Sequence, residues 1–192
     1  MLELDLFPDG AFQRSATLAA PGIRLTLTRR WSFGPMACVI GNNPSDADAT
    51  SDDPTSRWWN RWFRTNGYGG YTAVNLYPFC SPDPAVCRAF IARAIAGEQP
   101  YQTALFETNP ATIIATMQQS VAAFACWGNL AKDQAHVTGL FTQVAKKLDK
   151  PVDLLCWGTT NSKAPVHPMA RGRSRIDPNA PALAWRSFPP SA

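Results

Sequence analysis

Met36-Ala37-Cys38-Val39-Ile40-Gly41-Asn42-Asn43-Pro44-Ser45 is the stretch that decides how this chain folds. Its apolar half has no polar alternation, as expected of a strand covered by helices on both faces. Its second half is a tight turn that presents backbone N–H groups and an Asn side chain. Three other runs share the pattern: Tyr71-Thr72-Ala73-Val74-Asn75-Leu76, Ala122-Ala123-Phe124-Ala125-Cys126-Trp127 and Val152-Asp153-Leu154-Leu155-Cys156-Trp157. Each ends in a polar or glycine-containing loop: residues 75–84, Gly128-Asn129, and Gly158-Thr159-Thr160-Asn161-Ser162.

Helical patterns occupy the intervals, at residues 55–66, 84–96, 99–109, 110–120 and 129–148. Asp53-Pro54 and Asn109-Pro110 read as helix starts, a capping residue followed by proline in the first turn. Strand and helix in alternation imply a mainly parallel sheet with right-handed crossovers. Upstream, Ile23-Arg24-Leu25-Thr26-Leu27-Thr28-Arg29 alternates with period two, so residues 14–30 read as a lead-in hairpin at a sheet edge. The expected fold is α/β: a three-layer αβα sandwich around a central four-stranded, mainly parallel sheet, with an N-terminal edge hairpin. From Ile176 onward the chain is proline-rich and aperiodic, and 176–192 reads as an extended surface tail on a single domain spanning 1–192.

Composition agrees with one globular domain: 192 residues, 45% hydrophobic and 17% charged. No run approaches the roughly 18 apolar residues of a membrane span. Residues 1–10 carry Glu3, Asp5 and Asp9 and no basic run, unlike a secretion signal, so a cytoplasmic protein is expected. The five cysteines are an odd number, and Cys38, Cys126 and Cys156 sit in apolar runs, which implies no disulfide framework. Cys80 and Cys87 with His136 and His167 would make an unusual zinc set, so no metal and no cofactor is expected. The net charge of +4 is modest but asymmetric, with Arg171, Arg173 and Arg175 clustered and acids gathered from Asp46 to Asp53.

In an open α/β sheet, ligands bind outside the carboxyl ends of the strands. That rule places the site at the loops. Gly41 to Ser45 lacks the glycine spacing and lysine of a phosphate loop and lacks the dinucleotide fingerprint. Asn75, polar at the end of an apolar strand, can read a base edge through two donors and an acceptor, or can simply cap a turn. His167-Pro168 follows the fourth strand. Met169 and the arginines after it form a segment able to wedge a base step and bind phosphates, or else a solvated basic loop paired with the acids. Trp58, Trp59, Trp62 and Phe63 fall at helical spacing and read mostly as core. Trp127 and Trp157 line a base pocket or the core rim.

The motifs Gly41-Asn42-Asn43-Pro44-Ser45-Asp46-Ala47-Asp48, Asp52-Asp53-Pro54-Thr55, Gly67-Tyr68-Gly69-Gly70, Asn75-Leu76-Tyr77-Pro78-Phe79, Trp127-Gly128-Asn129 and His167-Pro168-Met169 resemble the bacterial and phage family DUF1643. Asn42 and Asp46 depart from its expected leucine and threonine. The order of motifs also resembles the uracil-DNA glycosylase superfamily, with a Gly-Ile-Asn-Pro-Gly first loop in its mismatch-specific branch, a base-reading Asn, and a last loop beginning His-Pro-Ser. That resemblance implies a uracil-DNA glycosylase-like fold and a DNA glycosylase that flips a modified or mismatched pyrimidine and leaves an abasic site, with phage DNA as one target. It implies that Asn43 orients the attacking water, Asn75 reads the base and His167 stabilises the departing base. Asp46 or Asp48 could instead supply the base, and Asp48 is carried as a catalytic candidate. Asn42, Ser45 and Trp127 join Asn75 in the base pocket, while Met169, Arg171, Arg173 and Arg175 meet DNA, double-stranded with a flipped base or single-stranded. A monomer is expected. The alternatives are a nucleoside or nucleotide N-glycosyl hydrolase and a non-catalytic nucleic-acid-binding module.

Overall fold

The computed structural model describes residues 12–130 and 134–190. The acidic stretch 1–10 lies outside them, as do residues 131–133 of the segment read as the last helix and residues 191–192 of the tail.

The four apolar runs form β3 (Met36–Gly41), β4 (Gly70–Asn75), β5 (Ala122–Ala125) and β6 (Val152–Cys156). They pair in the order β4-β3-β5-β6, all parallel. The sheet is larger than four strands, which corrects the expected architecture: seven strands run in the order β1-β2-β4-β3-β5-β6-β7, parallel in the middle and antiparallel at both ends. The lead-in hairpin, β1 (Gln13–Ala20) and β2 (Ile23–Arg30), turns at Gly22 with φ 77° behind Pro21. β2 is not at the edge; it pairs with β4 through Leu27 to Arg30, leaving β1 outermost. At the far side, Leu183–Phe188 is strand β7, paired antiparallel with β6. The segment read as a tail therefore contributes the last strand, because an exposed β6 edge offers unpaired backbone groups.

Helices cover both faces. α1 (Pro54–Thr65) buries Trp59, Trp62 and Phe63 against Val39, Tyr71, Ala73 and Phe124. The opposite face carries α2 (Pro84–Ile95), α4 (Asn109–Gln118) and α5 (Gln134–Leu148), whose Ile113, Phe141 and Val144 pack on Cys38, Ile40, Val74 and Ala123. The tryptophan group at 58–63 is thus core, with Trp58 half-buried edge-on to Trp157. α4 does begin at Asn109-Pro110, but Asn109 does not cap it, because the chain before it is already helical. A single turn, α3 (Tyr101–Thr103), runs through a π segment (Ala104–Thr108) into α4. The widened turn accommodates Pro110, which lacks an N–H and would crowd a regular turn. Asn109 is buried and donates from Nδ2 to the carbonyls of Asn75 at 3.0 Å and Leu76 at 3.3 Å, so α4 fixes the end of β4.

β3 leads to α1 on one face, whereas the neighbouring β5 leads to α5 on the other. Adjacent strands whose connections diverge open a crevice at their carboxyl ends. Most of the candidate residues singled out in the sequence gather there.

Candidate functional site

A cavity of about 500 Å³ occupies this crevice. Of the residues singled out in the sequence, Asn42, Asn43, Ser45, Asn75, Trp127, His167 and Met169 all line it. Asp48, Arg171, Arg173 and Arg175 do not, and Arg24, Asp53 and Trp59 are wall residues that the sequence reading missed as site residues.

Gly41 and Asn75 are register partners on β3 and β4, so their side chains share a sheet face. A Cβ on Gly41 would lie 2.6 Å from Asn75 Oδ1. The bare glycine is what lets the Asn75 amide lie across β3 at the cavity floor. That amide makes no hydrogen bond to a described residue, so its donors and acceptor are available to a ligand.

Asn43 serves differently. Its Nδ2 donates to the carbonyls of Pro44 at 3.1 Å, Phe79 at 3.3 Å and Ser81 at 2.7 Å, and its Oδ1 accepts from Asn42 Nδ2 at 2.9 Å. The amide clips the first loop to the loop after β4. Asn42 Oδ1, by contrast, is buried without a partner in the cavity wall.

The carboxylate in the cavity is Asp53 rather than Asp48. Asp48 is fully exposed, and its Oδ1 accepts from Thr50 N, Thr50 Oγ1 and Ser51 N, folding the loop locally. This short-range turn explains why the expected catalytic role does not fit its position. Asp53 is the N-cap of α1, its Oδ1 accepting from Ser56 N at 2.7 Å and its Oδ2 from the Ser45 hydroxyl. Burial pushes the Asp53 carboxyl up, but the hydrogen bonds from Ser45 and Ser56 outweigh it and hold it below the usual range. It is an ionised carboxylate at neutral pH.

His167 lines the same cavity. Met169 N donates to its Nδ1 at 3.1 Å, which leaves the proton of the neutral ring on Nε2. Burial lowers the His167 pKa from 6.5, with the negative charge of Asp53 partly opposing. The imidazole is therefore a neutral donor. In an NMR titration His167 is expected to protonate below the ordinary histidine value, and Asp53→Asn should lower the midpoint further, since the removed charge favours the imidazolium. A midpoint at or above 6.5, or a rise in the variant, contradicts this arrangement.

Trp127 is buried at the end of β5, stacked on Phe141 at 5.9 Å; Trp59 closes the α1 side. The indole nitrogens of both are buried without acceptors among the described residues. Trp157 stacks on Phe124 in the core and is not part of the wall. Met169 is 39% exposed at the cavity rim. Arg171, Arg173 and Arg175 follow on an exposed loop around a 3-10 turn (Gly172–Ser174) and make no hydrogen bond or ion pair with described side chains. Of the acids at 46–53, Asp52 pairs with Arg29, whose guanidinium also takes the Asp48 and Ser51 carbonyls; none of them pairs with these arginines among the described residues.

No helix among the described residues is long and apolar enough to cross a membrane. The model of a family described as "Protein of unknown function (DUF1643)" matches residues 24–169, a span that begins at Arg24 and ends at Met169 in the cavity wall. No curated protein and no solved structure matches the chain.

Proposed function

The chain belongs to the DUF1643 family, and from the cavity that the matched residues build we propose that it hydrolyses the N-glycosidic bond of a nucleobase, as a DNA glycosylase of the uracil-DNA glycosylase type acting on a flipped, modified or mismatched pyrimidine. The observation that carries this reading is the meeting, in one cavity, of an ionised carboxylate, a neutral histidine donor and an unengaged amide at adjacent strand ends. Breaking the bond puts positive character on the sugar and negative charge on the leaving base. Asp53, held ionised, stabilises the sugar cation and positions water; its lowered pKa makes it a better electrostatic partner than a proton acceptor. His167 Nε2–H gives a hydrogen bond to the base as it leaves as an anion, and the proton lost by the water that adds to the sugar carbon passes through solvent to that base anion. Asn75 reads the base edge, with Asn42 and Trp127 completing the pocket. Asn43 acts as a positioning residue, since its amide is spent on the loop clip. Met169 and the arginine loop beyond it would hold the backbone and support extrusion of the base.

One observation favours a second reading. Arg171, Arg173 and Arg175 stand outside the cavity, so a free nucleoside or nucleotide could occupy it without them. The test is a panel of single- and double-stranded DNAs carrying uracil, mismatches and natural phage base modifications, treated with alkali to reveal abasic sites. The DNA reading expects cleavage that vanishes when the three arginines are changed to Gln, together with a salt dependence shallower by about two to three units in that variant. Undiminished turnover of small nucleosides in the triple variant, with no abasic sites in any DNA, would favour the second.

A further inference from the structure

Strand β2 carries two buried arginines that the fold treats in opposite ways. Arg29 is fully buried and paired: its Nε holds Asp52 Oδ1 at 2.7 Å, and its other nitrogens donate to the carbonyls of Thr28, Asp48 and Ser51. Arg24 is 6% exposed and forms no ion pair with a described carboxylate. Its Nη1 donates to the Ala47 carbonyl and reaches that of Ser45 at 3.5 Å. Its Nε is buried without a partner, and its Nη2 donates to no described residue. Asp53 acts on Arg24 through space only, its oxygens already held by Ser45 and Ser56.

Buried charges are ordinarily paired, because desolvation without compensation is costly. Arg24 lines the cavity, and the orphaned indole N–H groups of Trp59 and Trp127 belong to wall residues as well. The two indole nitrogens and Arg24 Nε are closed off from the cavity, whereas Arg24 Nη2 is reachable and has no partner among the described residues, so the natural occupant brings acceptors and negative charge to it. Nη2 opens to the cavity, and Nε lies beside it, closed off while the cavity is unoccupied. Nε and Nη2 form the side-on edge of a guanidinium, the edge that grips two oxygens of one anion. Arg93 uses that same pair of atoms on the two oxygens of Glu98.

We propose that Arg24 is a phosphate subsite inside the cavity: Nη2 takes one oxygen of the phosphate on the nucleotide unit whose base meets Asn75, and a turn of the guanidinium on binding brings Nε onto a second. The identity of that base rests on the function proposed above; the anion subsite stands on the geometry of Arg24 alone. The phosphate is either that of a free nucleotide or a phosphodiester of a nucleic acid, and both present the same pair of oxygens.

The experiment follows the Arg24 Nε–H resonance of the isotopically labelled full chain, assigned through bonds in the wild type. The chain is titrated with inorganic phosphate against chloride at matched ionic strength, then with a pyrimidine nucleoside, its monophosphate and a short single-stranded oligonucleotide. The expected result is a saturable shift with phosphate and not with chloride, and a monophosphate that binds about tenfold tighter than the nucleoside. Arg24→Lys should lose that advantage, because lysine keeps the charge but not the fork. A resonance unmoved by phosphate, or moved equally by chloride, overturns the subsite, as do equal affinities for nucleoside and monophosphate. Saturable phosphate binding with no affinity for any nucleoside would retain the subsite and remove the base-reading proposal. Nucleoside binding with no preference for phosphate would do the reverse. Tighter binding of the oligonucleotide than of the monophosphate assigns the phosphate to a nucleic acid, and the opposite order assigns it to a free nucleotide; either order supports the subsite.

Discussion

Asp53→Asn is expected to remove about 10²- to 10³-fold of base release while leaving the protein folded. The two halves of that expectation have separate causes. Asp53 caps α1, and asparagine is about as good an N-cap as aspartate, so the Ser56 N–H keeps an acceptor. The Ser45 hydroxyl that donates to Oδ2 can rotate to accept from an amide instead. What the substitution removes is the charge facing the sugar cation. The loss should appear in kcat with little change in KM, since a neutral ground-state glycoside gains little from a carboxylate that acts on charge formed later. Single-turnover kinetics with thermal melting of both proteins checks this. Activity within a factor of a few of wild type, at unchanged stability, would remove Asp53 from the chemistry.

Arg29→Met is expected to cost about 3–5 kcal/mol of stability, a large share of the 5–15 kcal/mol typical of a domain. Arg29 is fully buried, and the variant would strand three backbone carbonyls that the guanidinium now satisfies and take from the Asp52 carboxylate its buried partner, leaving it Asn60 Nδ2 and the exposed Arg14. Asp52→Asn should cost less, because the carbonyl bonds survive it. The same pair sets an acid dependence. Burial pushes the Asp52 carboxyl up, but the hydrogen bond and charge of Arg29 outweigh it, so its folded pKa is lowered. Its contribution is thus fully present above the unfolded carboxylate value near 3.9 and is lost as pH falls through the folded value. Urea unfolding at pH 7 and at falling pH measures both. A cost under about 1 kcal/mol for Arg29→Met would show that the loop carrying Asp53 is held by something else.

The strands were legible because they are short, apolar on both faces and punctuated by Gly-Asn, Asn and Trp-Gly ends, and those ends placed most of the cavity wall. Residues whose roles depend on distant pairing were not legible. Arg24 sits at a polar position of an alternating strand, which in an edge hairpin faces water; because β2 lies inside the sheet, it faces the cavity instead. Asp48 and Asp53 lie five positions apart in one acidic loop, and nothing local says which turns inward. The Asp53-Pro54 helix start was the available signal, since it fixes the carboxylate at the end of α1 that meets the cavity. β7 was missed because Leu183 to Phe188 is mostly exposed and its pairing with β6 supplies what hydrophobic pattern does not. Asn43 shows the converse error: a residue in the expected place whose hydrogen bonds are already spent.

Hydrolysis of an N-glycosidic bond is tested by mass spectrometry of the small molecules freed when the wild-type chain meets the modified and mismatched DNAs and the corresponding nucleosides. A free base is expected from at least one substrate, released by wild type and slowed about 10²- to 10³-fold by Asp53→Asn. No free base from any substrate, in a protein that still binds them, would contradict it and leave a binding module in its place.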